Sequence, residues 1–280
     1  QARKAIDRLF PSKYYSSMNL GTITSRELAG LNRQTTVVLV PLGSAEQHGP
    51  HLPISTKVFL AEALAYEAAS FLKPAGIQCL TAPSIPFVPC QSSFGLSGTF
   101  SINARVFSDY LFEIGQAFHR EGFQWFFPIH TCISLECLKA VDQAVADLNR
   151  FKDFHACDPL PPWIFGKRPQ IEAALKELSL KTELETHADA KETGAMLYLD
   201  AELVDQTLAR QLPAFSASLP WESLKGNFSF KEMGARDGYL GSPACGDANL
   251  GKLYVESAAA AVAETVRNSL AGAPPPTLPL

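Results

Sequence analysis

Residues 35–72 read TTVVLVPLGSAEQHGPHLPISTKVFLAEALAYEAASFL, and three textures follow one another in them. Thr35 to Pro41 is β-branched and apolar without alternation, the pattern of a strand buried on both faces. Gly43 to Thr56 is a polar loop with glycine and proline. Val58 to Leu72, rich in alanine and leucine, reads as a helix. A fully apolar strand that runs through a loop into a helix is the repeating unit of an α/β fold with a mainly parallel sheet.

The unit recurs along the chain. Ile77–Ala82 and Gln124–His130 read as strands, and Phe107–Glu121 and Leu135–Asn149 as helices. Upstream, Thr24-Ser25-Arg26-Glu27 is a T-x-x-E capping box that predicts a short helix through Leu31. Downstream the pattern loosens. Pro159–Pro162 reads as a break, Gln170–Leu178 and Glu192–Leu199 as helices, and 213–250 as loop-rich. Lys252–Leu270 is an alanine-rich closing helix, and Ala273–Leu280 holds four prolines. No repeat and no sharp shift of composition divides the chain. The expected organisation is one α/β domain over 1–272 with a Pro-rich tail over 273–280.

The 280 residues are 46% hydrophobic and 19% charged, enough to bury a sizeable core. The net charge of -4, with no basic run, argues against nucleic acid as a partner. No apolar run is long enough to predict a membrane span. Gln1-Ala2-Arg3-Lys4 lacks the apolar segment of a secretory signal, so a cytoplasmic location is expected. The six cysteines are scattered and read as reduced thiols. Cys132 and Cys137 are spaced C-x4-C, but no second pair completes a zinc cage, so they read as packed core groups.

In a parallel sheet, ligand sites form at the carboxyl ends of the strands. Three polar clusters fall at such places. Gly43 to His51 follows the first buried strand and brings Glu46 and His48 within two residues of each other, a pairing suited to a divalent metal. His130 ends the strand from Gln124. His187 to Glu192 opens a helix. Singly, each cluster also reads as an idle loop histidine or a carboxylate serving a helix dipole. Together they hold four of the six histidines, a concentration that points to one site.

Pro41-Leu42-Gly43-Ser44-Ala45-Glu46-Gln47-His48-Gly49-Pro50-His51-Leu52-Pro53 is a long, ungapped match to the signature of the creatininase family of metal-dependent amidohydrolases, and on it the chain resembles that family. The similarity continues at Gly98-Thr99, His130, His187-Ala188, Glu192-Thr193 and the segment from Gly238 to Pro243. It implies a three-layer α/β/α fold, a hexamer, and two divalent metals joined by a bridging aspartate. Family members cleave C–N bonds in cyclic amides, formamides and related small molecules. By the same resemblance one metal falls to Glu46 and His130, the other to His48 with Glu192, and His187 takes the acid–base role. Ser44, His51, Ser93 and Thr99 fall where substrate contacts are expected.

The departures bear on the chemistry. Where the family places its bridging aspartate, eleven residues after Glu46, this chain has Lys57, and a charged ammonium cannot ligate a cation. His130 is followed by Thr131-Cys132-Ile133, without the family's polar residues, and Asp189 replaces a glycine. Cys90 stands where a serine is usual. Three readings remain open. One is an altered hydrolase acting on a small C–N bond substrate with one zinc or manganese ion. The second is a metal-free enzyme that uses Lys57, with Cys90 or Cys132 as nucleophile. The third is a non-catalytic homologue serving as a subunit, in a homo-oligomer or with a paralogue. The surviving polar groups favour an enzyme.

Overall fold

The computed structural model describes residues 18–216 and 229–278. The signal reading of Gln1–Lys4, residues 217–228 of the loop-rich stretch, and the last two residues of the tail lie outside them. Five strands form one sheet: β1 (Met18–Asn19), β2 (Val37–Leu42), β3 (Cys79–Thr81), β4 (Trp125–His130) and β5 (His155–Ala156). Their order is β1-β3-β2-β4-β5, with every pairing parallel.

β2 is the hub, since it pairs over its whole length with β4, Val37 facing Trp125 and Leu42 facing His130. All six of its residues are buried, and alternate side chains enter different cores. Val37 and Leu39 pack with Leu60 and Leu64 of α2 (Thr56–Leu72) and with Val255, Ala259 and Val262 of a long closing helix. Val38, Val40 and Leu42 pack on the opposite face, with Phe107 and Leu111 of α3 (Ala104–Arg120) and Val141 and Ala144 of α4 (Leu135–Leu148). This burial on both faces is why the strand shows no polar alternation. The result is the three-layer α/β/α arrangement.

The capping box forms as expected and opens α1 (Ser25–Ala29), a little shorter than predicted. The break at Pro159–Pro162 is instead the start of a short helix, α5 (Pro161–Phe165). Proline at the first helical positions is preorganised there and lacks an N–H that would go unused. α6 (Pro169–Glu177), α7 (Ala190–Asp200), α8 (Gln206–Ala209) and α9 (Ala248–Leu270) complete the order.

α7 and α9 cross at a contact that only glycine allows. A Cβ on Gly251 would stand 1.9 Å from the Gly194 carbonyl oxygen, and a Cβ on Gly194 would stand 2.4 Å from the Asp247 carbonyl oxygen. The crossing fixes α7, and with it Glu192, against α2. Gly43 acts similarly, because a Cβ there would stand 2.4 Å from the Cα of Val58. The chain leaving β2 therefore runs directly over the start of α2, where Lys57 lies. Among the described residues no helix is long and apolar enough to cross a membrane.

Candidate metal centre

The loop after β2 is held in shape by its own backbone and by distant segments. Glu46 N–H donates to Ile54 O (3.1 Å), Ala45 N–H to Pro86 O (2.8 Å), and Gly49 N–H to Gly238 O (3.0 Å). The residues expected to touch substrate make contacts within the protein here. Ser44 Oγ donates to Glu46 Oε1 (3.0 Å) and Ser93 Oγ to Glu46 Oε2 (2.9 Å). Thr99 Oγ1 accepts from Gln47 N–H (3.2 Å), and His51 Nε2 lies 2.8 Å from Thr193 Oγ1. Burial, with repulsion from His48, lowers the His51 pKa to about 4.

His187 reaches the same place through a bridge to the late loop, where it exchanges backbone hydrogen bonds with Leu240 (3.0 and 2.8 Å). Its ring packs 4.3 Å, centroid to centroid, from that of His48. Glu46, His48 and His187 are all buried, and one ligand atom from each lies within 4.8 Å of the others. The hydrogen bonds show which ring nitrogens are free. His48 Nδ1 lies 3.2 Å from Glu46 O and His187 Nε2 2.8 Å from Gln47 O. A carbonyl only accepts, so each of these nitrogens carries a proton, and in His187 the opposite nitrogen, Nδ1, is the one left with a lone pair when the ring is neutral. A ligating histidine is prepared in this way. Burial, with repulsion from His48, lowers the His187 pKa to about 4, so the ring is neutral at pH 7. A neutral ring suits a ligand better than the acid role expected of it.

His48 Nε2 supplies the test of whether a metal fits. It is buried without a hydrogen-bond partner and stands 3.4 Å from Glu192 Oε2. A nitrogen lone pair against a buried carboxylate is repulsive unless a proton or a cation comes between them. Two imidazoles and one carboxylate around an open position are the donor set of a single catalytic zinc, and they fit.

Glu192 is positioned by α7. Asp189 caps the helix, accepting from Lys191 N–H (2.8 Å) and Glu192 N–H (2.9 Å). Ala188 sits at φ 46°, a left-handed conformation that costs roughly 1–2 kcal/mol. That conformation turns its N–H onto Glu192 Oε2 at 2.7 Å. The other oxygen of Glu192 takes the Lys57 ammonium in a buried ion pair. Burial alone would lower the lysine pKa, but Glu192, with Tyr254 and Glu46, raises it well above the ordinary value. Burial would likewise raise Glu192, yet Lys57 and His48 hold it well below the carboxylate range. Both groups are therefore charged at every ordinary pH. With both oxygens of Glu192 engaged, the residue reads as a positioning group and not as a proton acceptor.

His130 departs furthest from expectation. Its Nδ1 lies 3.1 Å from Cys132 O and its Nε2 2.8 Å from Asp158 Oδ2. Both partners accept, so both nitrogens are donors and neither offers a lone pair. Burial opposes the charge, but Asp158 outweighs it and raises the pKa. Here the ring pairs with Asp158, and Cys132 O and Asp158 take up both of its nitrogens. Sequence reasoning missed Asp158, although it stands just past β5, at the carboxyl edge of the sheet.

Cys90 is buried, and burial together with the Glu46 carboxylate pushes its thiol well above the usual range. Cys132 points its sulfur at Pro89 O (3.3 Å). The Cys132 thiol, unlike that of Cys90, is held below the usual range, chiefly by its hydrogen bond with Cys137. The described cysteines are all free, as expected.

The comparisons agree with this architecture. Mycofactocin precursor peptide peptidase of Mycolicibacterium smegmatis is 38% identical over 99 residues, 35% of this chain and 39% of that protein. The chain's match thus spans well under half the length of this relative. 3-Dehydro-scyllo-inosose hydrolase of Thermotoga maritima is 29% identical over 104 residues, 37% of this chain and 32% of that one. A solved manganese form of creatininase shares the fold, with a TM-score of 0.70 and 22% identity over 90% of this chain and 98% of that one. The family described as creatinine amidohydrolase matches residues 21–266, nearly the whole described fold, and the chain belongs to it.

Proposed function

We propose that the protein is a hydrolase of amide-type C–N bonds in a small or peptide-derived substrate, working with one divalent metal held by Glu46, His48 and His187. The observation that carries this reading is the convergence of three buried metal-ligating side chains, one ligand atom from each within 4.8 Å of the others, with His48 Nε2 lacking a hydrogen-bond partner. Zinc or manganese suits two imidazoles and a carboxylate. A bound ion would supply a Lewis acid for a substrate carbonyl.

The remaining groups prepare the place. Ser44 and Ser93 hold the Glu46 carboxylate so that one lone pair on each oxygen stays free. Gln47 O and Glu46 O fix the tautomers of His187 and His48. Lys57 neutralises Glu192 without a second metal, so the site takes one ion where its relatives with a bridging aspartate take two. A peptide-derived substrate is suggested by the mycofactocin peptidase likeness, and a cyclic amide by the creatinine amidohydrolase family. Assembly into a homo-oligomer is part of the same proposal, supported by exposed Phe94, Phe100 and Ile54 beside the signature loop.

A metal-free reading is favoured by the Lys57–Glu192 pair, which already supplies a cation at the centre. One experiment separates the two. Protein purified without chelator is analysed for metal, then assayed against cyclic amides, formamides and short peptides before and after chelation. One ion per chain, with hydrolysis lost on chelation and restored by zinc or manganese, is the expected result. Protein without metal that takes up none on addition would defeat the proposal.

A further inference from the structure

A cavity of about 380 Å³ lies against the Lys57–Glu192 pair. It sits at the small end of the roughly 300–1,000 Å³ usual for small-ligand pockets. Lys57 and Glu192 line it, whereas Glu46, His48 and His187 do not. One wall is apolar, built by Leu60 and Leu64 of α2 and by Leu160 and Ile164 at α5.

The lining cations differ in how they are satisfied. Lys57 is paired with Glu192, Lys191 with Asp189, and His130 with Asp158. Arg168, at the turn between α5 and α6, has no such partner among the described residues. Its guanidinium carbon lies 5.1 Å over the ring of Trp163, and its Nε is buried without a hydrogen-bond partner. Stacking on Trp163 holds the fork in place, so little freedom is lost when an anion binds. A buried donor left unmade costs about 1–3 kcal/mol, which a ligand acceptor would recover.

We propose that this cavity binds a small monocarboxylate with an apolar body, its carboxylate on the Arg168 guanidinium and its body along Leu60, Leu64 and Ile164. A planar carboxylate matches the guanidinium fork in two parallel hydrogen bonds. A phosphate dianion is disfavoured, because Glu183, Glu185, Asp189 and Glu192 line the same cavity and repel a second negative charge. A neutral amide presents only one acceptor to the fork. The proposal goes beyond the hydrolase reading and does not depend on it, since binding needs neither metal nor turnover.

Calorimetric titration of the whole protein, as purified and after chelation, with hexanoate, hexanamide and hexyl phosphate tests it. Hexanoate is expected to bind in both states, at least about tenfold tighter than either of the other two. Arg168→Gln should weaken hexanoate at least about tenfold and leave hexanamide unchanged. Ile133→Glu adds a carboxylate to the lining at a residue 44% exposed, so it should weaken hexanoate without lowering the melting temperature. Ile133→Glu keeps the test decisive if Arg168→Gln folds poorly. Equal binding of hexanoate and hexanamide, tighter binding of hexyl phosphate, full hexanoate affinity in both variants, or no hexanoate binding at about 10 mM would each overturn the assignment. Failure of the hydrolase reading would show separately, in metal content and amide cleavage.

Discussion

The loops after β2 and β4 leave the same edge of the sheet, from strands paired along their whole length, yet their histidines end in opposite chemistry. His48, on the β2 side, donates one ring nitrogen to a carbonyl and leaves the other without a hydrogen-bond partner, and His187 likewise donates one nitrogen to a carbonyl. His130, on the β4 side, has acceptors at both nitrogens, and Asp158 raises its pKa. Lys57 stands on the cationic side and is bound to Glu192. The difference sets a candidate metal centre of Glu46, His48 and His187 beside the buried ion pairs Lys57–Glu192 and His130–Asp158.

The largest effect expected from this contrast is on metal uptake. His48→Ala combined with His187→Ala should abolish binding, whereas His130→Gln should leave it unchanged, both read by elemental analysis of protein dialysed against zinc. Equal loss in the two cases would mean that His130 is a ligand after all. Lys57→Asp sharpens the contrast by exchanging the fixed cation for a carboxylate, and its metal content should rise above that of the unaltered protein.

Next in size is the cost of breaking the buried pair. Lys57→Met leaves Glu192 charged, buried and unpaired, and should destabilise the fold by about 3–5 kcal/mol. Lys57→Met with Glu192→Gln removes both charges and should recover most of that loss in a urea titration. No recovery in the double variant would show that the pair is not the source of the effect.

A smaller effect is expected with pH. The His130 pKa is raised above 6.5 in the folded protein. Its stabilisation is therefore complete below about 6.5, and it drains away as pH rises through the folded value. Stability of the native chain should fall across that window. Asp158→Asn should lose on the order of 1.5–3 kcal/mol at low pH and show a flatter profile. An unchanged profile in Asp158→Asn would mean that His130 is not the titrating group. The smallest effect falls on Cys90, where Cys90→Ala should change stability by about 1 kcal/mol and leave metal content unaltered. The native thiol should resist iodoacetamide until the protein unfolds, and rapid labelling would reopen the nucleophile reading.

Much of the fold was legible along the chain. The strand at Val37–Leu42 announces itself because burial on both faces leaves no place for a polar residue, and Thr24 and Glu27 mark a helix start through contacts three residues apart. The two-residue edge strands β1 and β5 were not legible, since so short a pairing has no periodicity to read. α5 was hidden by its prolines, which signal a break and a helix start alike.

The site divides in the same way. By itself the sequence determined the family architecture and the presence of a lysine where a bridging carboxylate was expected, and it led us to expect Glu46, His48, His130, His187 and Glu192 near one sheet edge. Those facts depend on residue type, order and strand direction, which are local or follow from the parallel topology. Only the tertiary structure decided which acceptor faces each histidine nitrogen, that Asp158 meets His130, and what neutralises Lys57. Glu192 lies 135 residues from Lys57, and Asp158 lies 28 from His130. A ring nitrogen is donor or ligand according to the acceptor placed against it, and that acceptor arrives only when distant segments pack together.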